Sequence, residues 1–326
     1  MRAAPRRRVS MGDVAATAGV SAQTVSRVVN GSPRVDPATR ARVEQAMASL
    51  GYQVNRTARA LRTGRFHTIG VVVATLATVG NSRMLQAIAD AAAADGYALT
   101  LVTAGAPAAV ADSFTRLHDQ GVDGAIVLNE ATALARGVAL PEGLALVVVD
   151  SPADDRYSVV QTDHAAGARA AVAHLLERGH RTVWHIAGPA DSYAAAERER
   201  GWREALASAG VDAPPVLRGT WTAASGFAAA GELPGDATAL FVANDQMALG
   251  ALRALAEQGR DVPGDVAVVG FDDVVDAADY RPPLTTVRQD FDALGAAAVR
   301  ALVAAIDGSP ASGTALVPTL VVRASS

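Results

Sequence analysis

Apolar residues recur along this chain with two different periods. Near the amino terminus they return every three to four positions, around Met11–Thr17 and again from Ala22, and a further such stripe of Val43, Met47 and Leu50 follows Asp36 and Pro37. That spacing predicts three short amphipathic helices, with Ser21 and Asp36 as N-caps, Gly19 in the turn between the first two, and Pro37 at a first helical position. From Thr68 onward the pattern changes to short continuous apolar runs separated by Ala-rich stretches: TIGVVVA, ALTLV, GAIVL, LALVVVD, TVWHIA, ALFVA and VAVVG. Runs of that length alternating with helical segments predict parallel strands buried on both faces, an α/β body.

The second helix sorts its side chains sharply. Taking about 100° per residue from Ala22, Gln23, Thr24, Ser26 and Arg27 fall on one side, and Val25, Val28, Val29 and Ala22 on the other. The apolar side is expected to pack on the first helix, with Val14, Ala15 and Ala18. The polar side then presents an amide, a guanidinium and hydroxyls, the groups that reach base edges and phosphates.

Charge sharpens that reading. The chain has 326 residues and a formal net charge of −4, but its 29 basic residues, all arginine, are unevenly placed. Residues 1–65 hold twelve arginines against Asp13, Asp36 and Glu44, a balance of +9, whereas the remainder stands at −13. A basic head on an acidic body implies a polyanionic partner for the head. Arg6, Arg7 and Arg8, ahead of the first helix, are read as phosphate contacts, as a disordered arm or as residues upstream of the true start.

In α/β sheets, ligands sit beyond the carboxyl ends of the strands. There the sequence places Asp150 after LALVVV, Asn244 and Asp245 after ALFVA, and Asp272 and Asp273 after VAVVGF. Acceptors converging on one edge suit a neutral, hydroxyl-rich ligand such as a sugar. Arg198 can add a fork of donors, and Trp221 and Phe291 can stack on a ring. A lone strand-end Asp is as readily a helix N-cap, and Asp245 and Asp273 are read as structural.

With these residues in view, DVAATAGVSAQTVSRVVNGSPRVDPATRARVEQAMASLGYQVNRTARALRTGR resembles the head and hinge of LacI/GalR-family transcriptional regulators. The similarity continues to about residue 323 through VANDQMALGALRA, VGFDD and PPLTTVRQDF. The resemblance implies a helix-turn-helix head over 1–54, a hinge helix and linker over 55–66, and an effector-binding and dimerisation body over 67–326. That body would be a two-subdomain, periplasmic-binding-protein-like type I fold with parallel sheets, subdomain 1 at about 67–162 and 291–318 and subdomain 2 at about 163–290. It further implies DNA contacts by Ser21, Ala22, Gln23, Thr24, Ser26, Arg27 and Asn30, and by Asn55, Ala58 and Leu61 of the hinge, with Leu61 wedging the minor groove. The effector site it implies is Asp150, Arg198, Trp221, Asn244, Asp272 and Phe291, with Leu294 as apolar wall. Ala74, Thr78, Gly80 and Met84 stand where the family member that the body most resembles has a more apolar wall, and Thr162 stands in place of an aromatic there. The polar anchors are kept, so a galactoside-like sugar is expected; a nucleobase, a phosphorylated ligand or a protein corepressor is the competing effector.

The expected partners are double-stranded operator DNA, a small sugar and a second copy of the chain. A homodimer is expected because the chain stops after TALVPTLVVR without a heptad tail. No cofactor or metal is expected. The chain has no cysteine or lysine, and its six histidines, at 67, 118, 164, 174, 180 and 185, show no metal spacing. His164 and His174 read as ordinary helix residues, and His185 as a core histidine. The absence of a GxSxG elbow, and carboxylates accompanied by Asn, Arg and aromatics, argue against a glycosidase. An exported binding protein would not carry the 19–31 motif. MRAAPRRRVS lacks an apolar signal core, and no run approaches membrane-spanning length, so a cytoplasmic, nucleoid-associated protein without membrane contact is expected.

Overall fold

Ser10 starts the first helix, α1 (Met11–Ala18), by a reciprocal cap: its Oγ accepts from the Asp13 amide at 3.3 Å and its own amide donates to Asp13 Oδ2 at 2.8 Å. Gly19 ends it at φ 65°, a left-handed conformation that glycine reaches without penalty. Ser21 caps α2 (Ala22–Val29), accepting from the Thr24 amide at 3.2 Å, and Asp36 caps α3 (Pro37–Leu50) through the Thr39 amide at 3.0 Å. Val14, Ala15, Ala18, Val25, Val28, Val43 and Ala46 form the shared core, with Met47 and Leu50 half-buried at its edge. Ala22 departs from the helical-wheel reading. It is the first residue of α2 and is exposed, while Val29 is half-buried.

The computed structural model describes residues 9–29, 31–52, 64–128, 131 and 143–326. The chain divides into two units, Met1–Phe66 and His67–Ser326.

In the second unit two six-stranded sheets form among the described residues. The first contains β1 (Thr68–Val73), β2 (Ala98–Thr103), β3 (Gly124–Leu128), β4 (Ala145–Val149), β5 (Ser158–Thr162) and β11 (Gly313–Leu316), in the order β2-β1-β3-β4-β5-β11. The second contains β6 (Trp184–Ala187), β7 (Leu217–Arg218), β8 (Ala239–Val242), β9 (Ala267–Asp272), β10 (Thr285–Arg288) and β12 (Thr319–Val321), in the order β7-β6-β8-β9-β10-β12. Neighbours are parallel, with Val71 level with both Leu101 and Ile126, except that β12 runs antiparallel to β10. The chain therefore crosses between the sheets after Thr162, after Arg288 and after Leu316.

Helices cover both faces. In the first lobe α4 (Val79–Ala94) packs on α10 (Phe291–Ile306), and α5 (Pro107–Asp119) lies on the opposite side with Phe114 and Leu117 buried. In the second lobe α6 (His164–Glu177) and α7 (Tyr193–Ser208) pair, as do α8 (Ala223–Gly231) and α9 (Asp245–Glu257). Gly250 sets the α8–α9 approach, since a β-carbon there would overlap the Ala223 carbonyl.

Five described strands, β5, β7, β10, β11 and β12, stand outside the apolar runs that predicted the others, and of these β5 (SVVQT) and β10 (TTVR) are largely buried. Their polar residues survive burial because each has a partner: Thr286 Oγ1 donates to Asp245 Oδ1 at 2.6 Å, and Thr285 Oγ1 accepts from the Arg323 amide at 2.9 Å. This is a strand pattern that hydropathy alone does not reveal.

Candidate functional site

The head presents one side of α2 to solvent. Gln23 and Arg27 are exposed, Thr24 and Ser26 are half-buried, and the buried Val25 and Val28 hold the helix on the core. Ser21 and Thr24 also share a hydroxyl hydrogen bond of 3.0 Å, which ties the start of the helix together. Asn30, Asn55, Ala58 and Leu61, and Arg6–Arg8, lie outside the described residues.

In the body, the strand ends of both lobes face one cleft. Asp150, Arg198, Trp221, Asn244, Asp272 and Phe291 all line it. Leu294 does not: it is one turn further along α10, 1% exposed within the first-lobe core, so it supports the wall from behind. Asp245 and Asp273 also point elsewhere. Asp245 accepts from Thr286 and from the Val274 amide, and Asp273 pairs with Arg288 and Arg323.

Backbone strain concentrates here. Asp150 (φ 57°), Trp221 (φ 69°) and Asp272 (φ 113°) all have positive φ without being glycine, and such conformations persist only where the surroundings hold them. Each turns a side chain off a strand end or turn into the cleft. Gly188 leaves the space into which the Trp221 ring lies, which a β-carbon there would occupy.

The polar floor of the cleft is cross-linked. Arg198, on α7 and only 4% exposed, donates to the Ala243 carbonyl, places Nη2 3.5 Å from Asp272 Oδ1, and lies 3.9 Å over the Phe271 ring. Its Nε donates to His164 Nδ1 at 3.4 Å, which leaves the ring proton on Nε2, 2.9 Å from Asp150 Oδ1 though off line for a good hydrogen bond. Gln289 Nε2 donates to Asp272 Oδ1 at 2.6 Å, while Gln289 Oε1 accepts from Thr162 Oγ1 at 2.8 Å. The Thr162 amide closes the circuit on Asp150 Oδ1 at 3.4 Å. Burial pushes the Asp272 carboxyl above the usual range, opposed by Arg198 and the Gln289 hydrogen bond. Asn244 is the N-cap of α9, Oδ1 accepting from the Met247 amide at 2.9 Å, and its Nδ2 donates to the Trp221 carbonyl at 3.1 Å.

Thr78, Gly80, Asn81 and Met84 of the first lobe, with Ser192, Ala194 and Gln289, complete the walls, whereas Ala74 packs in the core beneath α5. Hydrogen bonds also span the lobes nearby, among them the Val79 amide to Gln246 Oε1 at 3.1 Å and Tyr193 Oη to Gln161 Oε1 at 2.9 Å. Burial pushes the Tyr193 hydroxyl up to about 12, so it remains a donor across the neutral range. Sequence reading missed His164, Gln289, Ser192 and Asn81. His164 immediately follows the crossing at Thr162, and Gln289 follows β10; polar residues at chain crossings were the available signal.

Comparison with known proteins places this architecture. Residues 10–55 match the model for bacterial regulatory proteins of the lacI family, and residues 172–326 match a periplasmic binding protein-like domain. The lactose operon repressor of Escherichia coli K12 is 37% identical over 323 residues, covering 97% of this chain and 89% of that protein. The chain belongs to the LacI family. The HTH-type transcriptional regulator CelR of Thermobifida fusca is 39% identical over 330 residues, covering 96% of each. Among solved structures, the lac repressor dimer bound to operator and the anti-inducer ONPF superposes with a TM-score of 0.84 at 34% identity, covering 98% of this chain and 99% of that one. A CelR–cellobiose complex superposes at 0.73 with 35% identity, covering 98% and 100%. The expected fold class, a helix-turn-helix head with a type I body of parallel sheets, is therefore the fold of this LacI-family member. Among the described residues no helix is long and apolar enough to cross a membrane.

Proposed function

We propose that this chain is a sequence-specific DNA-binding transcriptional repressor that acts as a homodimer on a palindromic operator and is released by a small neutral sugar in the body's cleft. The observation that carries the reading is the cleft: six residues anticipated as an effector site line one strained, acceptor-rich pocket, in a chain whose head presents Gln23 and Arg27 on a helix-turn-helix.

Each part of the site has a task under this reading. Gln23 and Arg27 read base edges, Ser21, Thr24 and Ser26 position the helix on phosphates, and Ala22, exposed and small, meets the bases beside them. Asp150 and Asp272 accept hydroxyl protons, Arg198 donates to ring oxygens, and Trp221 and Phe291 pack on the apolar faces of the sugar. A sugar that prefers one arrangement of the lobes shifts the operator equilibrium, and the operator shifts sugar affinity by the same factor. The site binds and lets go; no reaction is assigned to it. The chain then works on chromosomal DNA in the cytoplasm.

The effector class is tested by thermal unfolding of the dimer against galactosides, glucosides including cellobiose, free hexoses and purines, since a ligand of the native state raises the midpoint. A shift with galactosides is expected, followed by operator release with the same compound. A shift confined to purines would overturn the sugar reading. Asp272→Ala is expected to abolish the shift and to stay on operator DNA when the sugar is added. Normal induction of that variant would remove Asp272 from the site.

A further inference from the structure

Six groups beneath the cleft form a closed circuit: Asp150, Thr162, Gln289, Asp272, Arg198 and His164, in that order. Its members come from both lobes and from the crossings between them, with sequence separations as large as 127 residues. The circuit has a direction. Arg198 can only donate, so His164 Nδ1 must accept and Nε2 must carry the proton toward Asp150. On the other arc, the Thr162 hydroxyl donates to Gln289 Oε1, so Nε2 of the same amide is the group aimed at Asp272. Every contact that the two carboxylates make around the circuit falls on Oδ1.

We propose that Thr162 is a positioning residue for effector recognition: its hydroxyl holds the Gln289 amide, and through it Asp272, so that the site selects a ligand hydroxyl that donates to Asp272. The inference rests on the reading of the cleft as a sugar site. The reason is satisfaction of a buried group. Thr162 and Gln289 are 4% and 8% exposed, and the Gln289 carbonyl has the Thr162 hydroxyl as its hydrogen-bond donor among the described residues. Without that donor the buried carbonyl would be left unpaired, so the side chain would turn toward cleft water and withdraw its amide from Asp272. Asp272 would then be held by Arg198 alone, at 3.5 Å. An aromatic side chain at 162 without a hydroxyl has no way to make this bond.

The test is calorimetric titration of the full chain with methyl β-galactoside, methyl β-glucoside and the monodeoxy analogues of each, for the unsubstituted protein, Thr162→Val, Thr162→Ser, Gln289→Leu and the double variant Thr162→Val/Gln289→Leu. In the unsubstituted protein one deoxy analogue is expected to bind about tenfold or more weakly than its parent, as loss of a hydrogen bond to a charged group predicts. Thr162→Val should bring that ratio to within about threefold, Thr162→Ser should restore it, and Thr162→Val should add nothing once Gln289 is leucine. Retained discrimination in Thr162→Val, or a further loss in the double variant, would overturn the positioning role. Operator binding shows that each variant is folded; if Thr162→Val is not, Thr162→Ala replaces it and the same outcomes decide. Failure of both glycosides to bind the unsubstituted protein would overturn the sugar reading and this inference with it, whereas binding with an unchanged deoxy profile overturns this inference alone.

Discussion

The head and the cleft both present polar side chains, but they prepare them in opposite ways. On α2, Gln23 and Arg27 stand exposed on a helix held from behind by Val25 and Val28. In the cleft, Arg198, Asp272, Gln289 and Thr162 are each under 9% exposed and tied to one another before any ligand arrives. A DNA groove is long, charged and repetitive, so a few long side chains on a rigid helix can find base edges there and gain from counterion release. A small neutral ligand offers no such field, and its affinity must come from groups whose orientation has already been fixed.

Breaking the head should therefore have the largest effect, and a separable one. Arg27→Ala is expected to cost about 1–3 kcal/mol of operator discrimination per half-site, counted twice in a symmetric dimer. Sugar-induced thermal shifts should remain as they are, because Arg27 lies in the other unit. Operator titrations with cognate and scrambled duplexes check this. If Arg27→Ala lost operator and sugar binding in equal measure, Arg27 would be holding the fold rather than reading DNA.

Acid sharpens the comparison next, because all six histidines lie outside the head, at residue 67 or beyond. His185 is fully buried on β6, stacked 4.8 Å from Phe241, and burial pushes its imidazole down to about 4. The neutral ring is the folded form. Its contribution is complete above the unfolded value near 6.5 and is lost as pH falls from there toward 4, where the unfolded chain binds the proton and the native one does not. The difference amounts to about 3 kcal/mol at the lower end. Denaturant unfolding between pH 7 and pH 4 should show that much less pH dependence in His185→Gln than in the unsubstituted protein. Equal slopes would mean that the native ring takes up the proton after all.

The two regions also differed in how readily the sequence disclosed them. The head's recognition face was legible because one helix carries it, and the period of 3.6 residues places Gln23, Thr24, Ser26 and Arg27 together without further information. Only Ala22, at the helix end where packing stops, was misplaced on the wheel. The strand-end acids Asp150 and Asp272 were legible for a related reason, since the apolar run that predicts a strand also predicts where it stops. His164 and Gln289 were not, because their roles depend on partners 34 and 17 residues or more away, across crossings that no periodicity marks. The strands SVVQT and TTVR escaped for the same reason: their burial is made tolerable by tertiary hydrogen bonds.

Asn244 offers the smallest and most selective test, since one side chain there does a local and a distant job. Its carbonyl oxygen caps α9, and its amide holds the Trp221 carbonyl in a turn at φ 69°. Serine is about as good an N-cap as asparagine, so Asn244→Ser keeps the first job and removes the second. Stability should fall by about 1 kcal/mol, the cost of leaving one buried carbonyl without its donor. Sugar affinity should fall by a further few-fold, because Trp221 is then free to relax from the strained turn that presents its ring, while operator affinity without sugar stays unchanged. Calorimetry alongside operator titration reads both. If affinity held while stability dropped, the Trp221 turn would be maintained by its packing against Gly188, and the cleft's aromatic wall would owe its position to shape rather than to the polar floor.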